Sequence, residues 1–161
     1  MQEYRFCVSY VKLNQHLLGD ILPAPNVWGV LDELHWGQYY SVIDVRAGFH
    51  NVPVHQDSRK FLGFVTEDGV YVWKRMPMGI STAPGHFQQC MVLVLKDQYG
   101  RIVAVYIDDL IVFGDTWEEC WHHTVTVLRV IMQAGLAVNV RKATLCQTRA
   151  KVLGHIVDGV R

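Results

Sequence analysis

The chain has no charge of either sign to spare. Lys and Arg number 15, Asp and Glu number 15, and the formal net charge is zero. A nucleic-acid binder usually carries a basic excess. Its lack leaves room for a local basic stripe but lowers the affinity expected of the chain as a whole. There is no C-x-x-C pair: Cys7, Cys90, Cys120 and Cys146 are widely spread. That spacing argues against a zinc site and reads as reduced, mostly buried thiols of an intracellular protein. No apolar run approaches the length of a membrane span, and the polar, mixed residues 1–15 are not a signal peptide. There is no low-complexity tract and no internal repeat. Half of the 161 residues are hydrophobic and 19% are charged. This composition excludes disorder and suits one domain, or a large part of one, with a sizeable core.

The apolar pattern predicts a mixed order of elements. Arg5–Val8 reads as a short strand, so the natural domain is expected to begin earlier than Met1. Lys12-Leu13-Asn14 reads as a turn. Asn26 caps a helix over Val27–Leu34, which Gly37 ends. Gln38–Val45 is a strand. Phe61–Thr66 and Val70–Lys74 form a hairpin around Glu67-Asp68-Gly69. A helix opened by Pro84 runs to about Lys96 and buries Phe87, Met91, Val94 and Leu95. A second hairpin spans 102–113. Thr116 caps a helix from Trp117 to Gln133, with Glu118 and Glu119 favoured in its first turn. Lys142–Cys146 and Val152–Val157 read as two further strands, Gly154 permitting close backbone approach. This order predicts an α+β fold with helices packed on one face of an antiparallel sheet. The adjacent His122 and His123 read as surface residues, and the five Trp residues as mostly packing.

The stretch Val103-Ala104-Val105-Tyr106-Ile107-Asp108-Asp109-Leu110-Ile111-Val112-Phe113 organises the rest. Two apolar runs flank a bare acidic pair. Asp108-Asp109 reads as the hairpin's tight turn or its shoulder. The pair is also a candidate metal site, the less expected reading of the dipeptide alone, because adjacent carboxylates repel and a divalent cation offsets that cost. Asp44 also ends a buried strand. If its strand lies beside the hairpin, three carboxylates converge, as a two-metal phosphoryl-transfer site needs.

Six groups of residues carry a family resemblance, in order. They are Arg5-Phe6-Cys7-Val8 with Leu13-Asn14; Ile43-Asp44-Val45-Arg46-Ala47-Gly48-Phe49-His50; Met76-Pro77-Met78-Gly79 with Ala83-Pro84 and Phe87-Gln88; Tyr106-Ile107-Asp108-Asp109; Asn139 with Lys142; and Leu153-Gly154-His155. Over nearly its whole length the chain resembles the palm and part of the fingers of a reverse transcriptase of the long-terminal-repeat retrotransposon or retrovirus type. The resemblance implies an RNA-directed DNA polymerase joining deoxynucleotides to a primer 3′-hydroxyl with two Mg²⁺ ions, for which Mn²⁺ can substitute. Asp44, Asp108 and the Val45 carbonyl would bind the metals, with Asp109 assisting. Phe49 would gate against a 2′-hydroxyl; a core Phe at a strand end is the plainer reading. Arg5, Met78 and Gly79 would contact the nucleotide, Arg5 being otherwise a strand-edge charge and Gly79 a turn residue. Lys142 would protonate the leaving pyrophosphate, or is a surface lysine beside Arg141. Tyr106, Leu153, Gly154 and His155 would meet the primer, the last three being otherwise a core strand with a half-exposed His.

The resemblance also implies a division: residues 1–37 and 51–77 fingers-like, 38–50 and 78–150 palm, and 151–161 the start of a primer-grip hairpin. Thumb and ribonuclease H portions, and an upstream fingers strand, are absent from these 161 residues. The implied partners are an RNA or DNA template with primer, deoxynucleoside triphosphates and the rest of a polyprotein, in a cytoplasmic virus-like particle. Ser9 and Val11 stand where the family usually has Asp and Arg, and Met78 where retroviral members carry Gln. The alternative is a non-catalytic relic or co-opted palm module that binds nucleic acid or a protein partner.

Overall fold

The computed structural model describes residues 6–17, 26–34 and 37–159. Its centre is a four-stranded antiparallel sheet of β1 (Tyr39–Asp44), β4 (Val103–Tyr106), β5 (Asp109–Gly114) and β6 (Thr144–Gln147), in the order β4-β5-β1-β6. Separate two-stranded ribbons are formed by β2 (Gly63–Thr66) with β3 (Gly69–Val72), and β7 (Arg149–Val152) with β8 (His155–Asp158). The helices are α1 (Val11–Asn14), α2 (Val27–Glu33), α3 (Gly48–Asn51), α4 (Ala83–Val94) and α5 (Trp117–Gln133). A 3₁₀ turn spans Gln56–Leu62.

Strand alternation sorts the core into two layers. Ile43, Val103, Val105, Leu110 and Val112 face α4 and α5, meeting Phe87, Met91, Val127 and Ile131. Tyr40, Ala104, Ile111 and Phe113 face the other way, against Val30 and Leu34 of α2 and Ala150 and Val152 of the β7–β8 ribbon. The two long helices therefore share one face, as the α+β pattern predicts. Among the described residues the opposite face is covered by a short helix and a ribbon.

The caps follow the sequence signals. Asn26 Oδ1 accepts from Trp28 N at 3.1 Å. Thr116 Oγ1 accepts from Glu119 N at 3.1 Å, while Glu119 Oε2 reaches back to accept from Asp115 N at 2.9 Å. The arrangement resembles a capping box, except that Glu119 reaches the residue before the cap rather than the cap itself.

Several local expectations fail. Phe6–Val8 form no strand; the Phe6 ring packs on Phe64 at 5.3 Å instead, and Arg5 lies outside the described residues. Lys12-Leu13-Asn14 are helical, within α1. Gly37 does not end α2, whose C-cap is Leu34. It is a packing glycine, since a Cβ there would lie 2.9 Å from Phe113 Cβ. The 3₁₀ turn consumes the start of the expected 61–66 strand. Residues 152–157 are not one strand: Val152 ends β7, Leu153-Gly154 turn, and β8 begins at His155. Leu153 and Gly154 both take positive φ, and nothing lies within 4 Å of a Cβ at Gly154. That glycine makes a turn rather than a close approach. Cys120 and Cys146 are buried, but Cys90 is half-buried and Cys7 exposed, so "mostly buried" overstates the thiols. Trp28, Trp117 and Trp121 are exposed rather than packing. His123 is no surface residue: its half-buried ring donates from Nδ1 to Phe113 O at 2.8 Å.

Candidate active site

The site forms where β1 ends. β1 and β5 pair up to Asp44 opposite Asp109, and β5 pairs with β4 up to Tyr106 opposite Asp109. Tyr106 and Asp109 thus close a two-residue turn, Ile107-Asp108. The acidic pair is split between turn and strand. By alternation Asp44, Asp109 and Tyr106 project from the sheet face opposite α4 and α5. Like charges directly opposite each other across a ladder are destabilising. The Asp109 carboxyl is accordingly pushed up to about 6, by burial first and then by the charges of Asp108 and Asp44, with Lys142 opposing.

The turn is strained and then clamped. Ile107 has φ 55°, a conformation costly for a β-branched residue. Gln88, buried on α4, spans the turn's base. Its Oε1 accepts from Ile107 N at 2.6 Å and its Nε2 donates to Val105 O at 3.0 Å. On the other side Val45 N donates to Asp108 O at 2.8 Å.

The far edge of β1 is bordered by the segment after α5. Asn139 N donates to Asp44 O at 2.8 Å and Arg46 N to Ala137 O at 2.7 Å. Lys142 follows, its N bonded to Asn139 O at 3.1 Å. This brings Lys142 into a cavity of about 480 Å³ lined also by Asp44, Val45, Phe49, Met78 and Asp108. Six of the residues expected at the site converge there. Gly79 is next in chain to the cavity wall, at φ 95°. A Cβ on it would lie 3.4 Å from Val8 O, close to ordinary contact, so its positive φ is what calls for glycine there. Asn14 grips this loop from both sides: its Nδ2 donates to Gly79 O at 2.9 Å and its Oδ1 accepts from Ser81 N at 3.0 Å.

Two expected groups lie elsewhere. Leu153, Gly154 and His155 sit at the β7–β8 turn, where the His155 ring meets Trp28 at 5.2 Å. Tyr106 is half-buried against the α2-side layer, on which Leu153 also packs. The pattern of residues assigned no role to Gln88, Asn14 or the His50–Trp73 stack that lines the cavity wall, with ring centroids 5.4 Å apart and planes 10° apart. A buried amide two positions into the second turn of a helix was the signal available for Gln88.

Among the described residues no three His, Cys, Asp or Glu side chains are close enough to hold a metal ion by themselves. The donor chemistry nevertheless fits one. Three carboxylates at one sheet end, a raised Asp109 and a single lysine nearby suit a cation whose remaining ligands come from substrate phosphates.

Residues 8–157 match the reverse transcriptase (RNA-dependent DNA polymerase) family, and the chain belongs to it. It is 34% identical over 161 residues to the retrovirus-related Pol polyprotein from transposon 297 of Drosophila melanogaster, covering 99% of this chain and 15% of that protein. It is 32% identical over 162 residues to the Pol polyprotein from transposon opus of the same fly, covering 99% and 16%. Among solved structures it is similar to a foamy viral protease-reverse transcriptase in complex with double-stranded DNA, with TM-score 0.85 and 28% identity over 96% of this chain and 27% of that one. The chain thus spans about one-sixth of the length of these polyproteins. No helix among the described residues is long and apolar enough to cross a membrane.

Proposed function

We propose that the chain is the catalytic palm, with part of the fingers, of an RNA-directed DNA polymerase that adds deoxynucleotides to a primer 3′-hydroxyl on an RNA or DNA template. The observation that carries this reading is the convergence of Asp44, Asp108 and Asp109 at one sheet end, with Lys142 entering the same cavity.

Asp44, Asp108 and the Val45 carbonyl would hold two Mg²⁺ ions, or Mn²⁺ in their place, with Asp109 contributing more weakly. Bound there, such ions supply charge neutralisation of the triphosphate and a lowered pKa for the attacking hydroxyl. The chain's own residues do the rest. Phe49, tilted on Phe87 with ring centroids 5.4 Å apart, would form a floor under the nucleotide sugar. Met78 and the Gly79 loop border the nucleotide from the fingers side. The Lys142 ammonium would donate a proton to the leaving pyrophosphate. Arg5 is assigned to the triphosphate on the resemblance alone. Tyr106 and the Leu153-Gly154-His155 turn, with Tyr106 and Leu153 packed on the α2-side layer, are assigned to the primer on the resemblance. Residues 1–37 and 51–77 are assigned to the fingers, 38–50 and 78–150 to the palm, and 151–161 to the primer grip. The remaining polyprotein would supply thumb and ribonuclease H, within a cytoplasmic particle.

The test is Mg²⁺- or Mn²⁺-dependent extension of a DNA primer on an RNA template, using the chain extended by its downstream thumb portion, with Asp108→Asn as control. Extension abolished by the substitution supports the reading. No extension even with the thumb present would leave the alternative, a non-catalytic palm module. One observation favours that second reading: Ser9 and Val11 are both exposed, Val11 at 64%, on the surface where charged residues would grip a template.

A further inference from the structure

Helix α5 carries two apolar stripes; the fold buries one and covers the second only in part, where Leu128 packs against the core. Cys120, Thr124, Val127 and Ile131 are buried. Trp117, Trp121, Val125, Leu128 and Met132 form the second stripe, about 100° round the cylinder, one residue step away. Trp117, Trp121 and Met132 are 48%, 43% and 71% exposed. The two indoles lie parallel, 6.0 Å between centroids and 9° between planes. Beyond them a shallow groove is lined by α5 alone, through Val125, Leu128, Arg129, Met132 and Gln133.

We infer that this face is a homodimer surface, on which α5 of a second copy of the chain lies antiparallel about a two-fold axis. The pattern is near-palindromic. An antiparallel copy sets Trp117 against Met132, Trp121 against Leu128, and Val125 near itself, as an isologous contact requires. Charge selects the same arrangement. Asp115, Glu118 and Glu119 are exposed at the start of the helix, and Arg129, its one Lys or Arg, is exposed towards the end. Antiparallel packing brings Glu118 of each copy within reach of Arg129 of the other and opposes the helix dipoles favourably. Parallel packing would stack the acidic turns together. The same carboxylates repel phosphates, which disfavours a nucleic acid or an anionic lipid surface on these indoles. Zero net charge adds no self-repulsion. One helix pair buries less than the roughly 1,200 Å² of stable complexes, so the dimer is weak and concentration-dependent.

Sedimentation velocity across a concentration series tests this. The weight-average mass of the chain is expected to climb from 18.4 kDa towards twice that value. Trp121→Lys is expected to stay at 18.4 kDa, with an unchanged far-ultraviolet circular dichroism spectrum. Glu118→Arg and Arg129→Glu should each weaken association roughly tenfold, two symmetry-related pairs being lost. Together they should restore it. A wild-type mass that stays constant overturns the inference, whatever else covers the face. So does a dimer that survives Trp121→Lys, or a double reversal no tighter than the single ones.

Discussion

Val45 and Asp108 are joined backbone to backbone, the Val45 N–H donating to the Asp108 carbonyl at 2.8 Å. This bond carries the β1–β5 ladder one step past the Asp44–Asp109 pair. Two carboxylates 64 positions apart in sequence (108 − 44) are thereby held at one strand end, before any ligand is considered.

The raised Asp109 carboxyl makes metal-free stability depend on pH. Its folded-state value, about 6, lies above the ordinary 3.8. The folded chain therefore holds that proton more tightly than the unfolded chain. The resulting stabilisation is complete below about pH 4 and is lost as pH rises through 6. A fully buried group with this rise would account for roughly 3 kcal/mol; at this half-buried position screening reduces it to about 1–2 kcal/mol. Asp109→Asn should therefore be more stable than wild type at pH 8 without divalent ions. The advantage should disappear at pH 4 and narrow when Mg²⁺ is added. Urea titrations at the two pH values decide it; an Asn variant less stable at pH 8 would refute the electrostatic account.

Gln88 is predicted to be a positioning residue. Gln88→Leu leaves Ile107 N and Val105 O without their partner, at a cost of about 1–3 kcal/mol. In a chain of this size that lowers the thermal midpoint by roughly 2–4 °C per kcal/mol. A purely structural role would stop there. Because the turn carries Asp108, the extended enzyme should also need more Mg²⁺ for half-maximal rate. An unchanged Mg²⁺ midpoint in primer extension would reduce Gln88 to a core residue.

The parts of the site that the sequence reveals are those set by strand periodicity and short spacing. Asp44 at a strand end, the apolar flanks of Asp108-Asp109 and Phe49 five residues after Asp44 are all local patterns. Their meeting is less legible, because register between β1 and β5 depends on side chains from both layers, Ile43 and Leu110 on one side and Tyr40 and Phe113 on the other. Long-range single contacts were not legible at all. Gln88 acts across 19 positions and Asn14 across 65. Ser41, which accepts from Thr124 Oγ1 at 2.8 Å and from Cys146 N at 3.0 Å, joins α5 and β6 to β1 from an ordinary-looking strand position. The residue pattern reads 152–157 as one strand because its turn uses Leu153 at φ 49°, a residue without turn preference; the hairpin there is implied only by the resemblance.

Phe49 is predicted to set sugar selectivity. Its ring is half-buried, lines the acidic cavity and rests on Phe87. Phe49→Val removes the floor but leaves the carboxylates in place, so deoxynucleotide addition should persist while ribonucleotide addition rises by about tenfold or more. Single-nucleotide extension with paired ribo- and deoxynucleotides measures the ratio. Unchanged discrimination would mean that Phe49 only packs.

The floor itself depends on Gly48. A Cβ there would stand 2.6 Å from Phe87 Cζ and 2.9 Å from Cε1. The Phe87 ring is 1% exposed and surrounded by Met91, Val105 and Leu110 of the same layer, so it has little room to retreat. Gly48→Ala should therefore destabilise the chain by about 1–3 kcal/mol, the usual cost of overpacking, and lift the Phe49 ring off its support. Shortening the obstacle separates this clash from a backbone requirement. If the clash is the cause, Gly48→Ala combined with Phe87→Leu should be more stable than the sum of the two single losses allows, by more than about 0.5 kcal/mol in a double-mutant cycle. Strict additivity would place the need for glycine in the backbone of α3 instead.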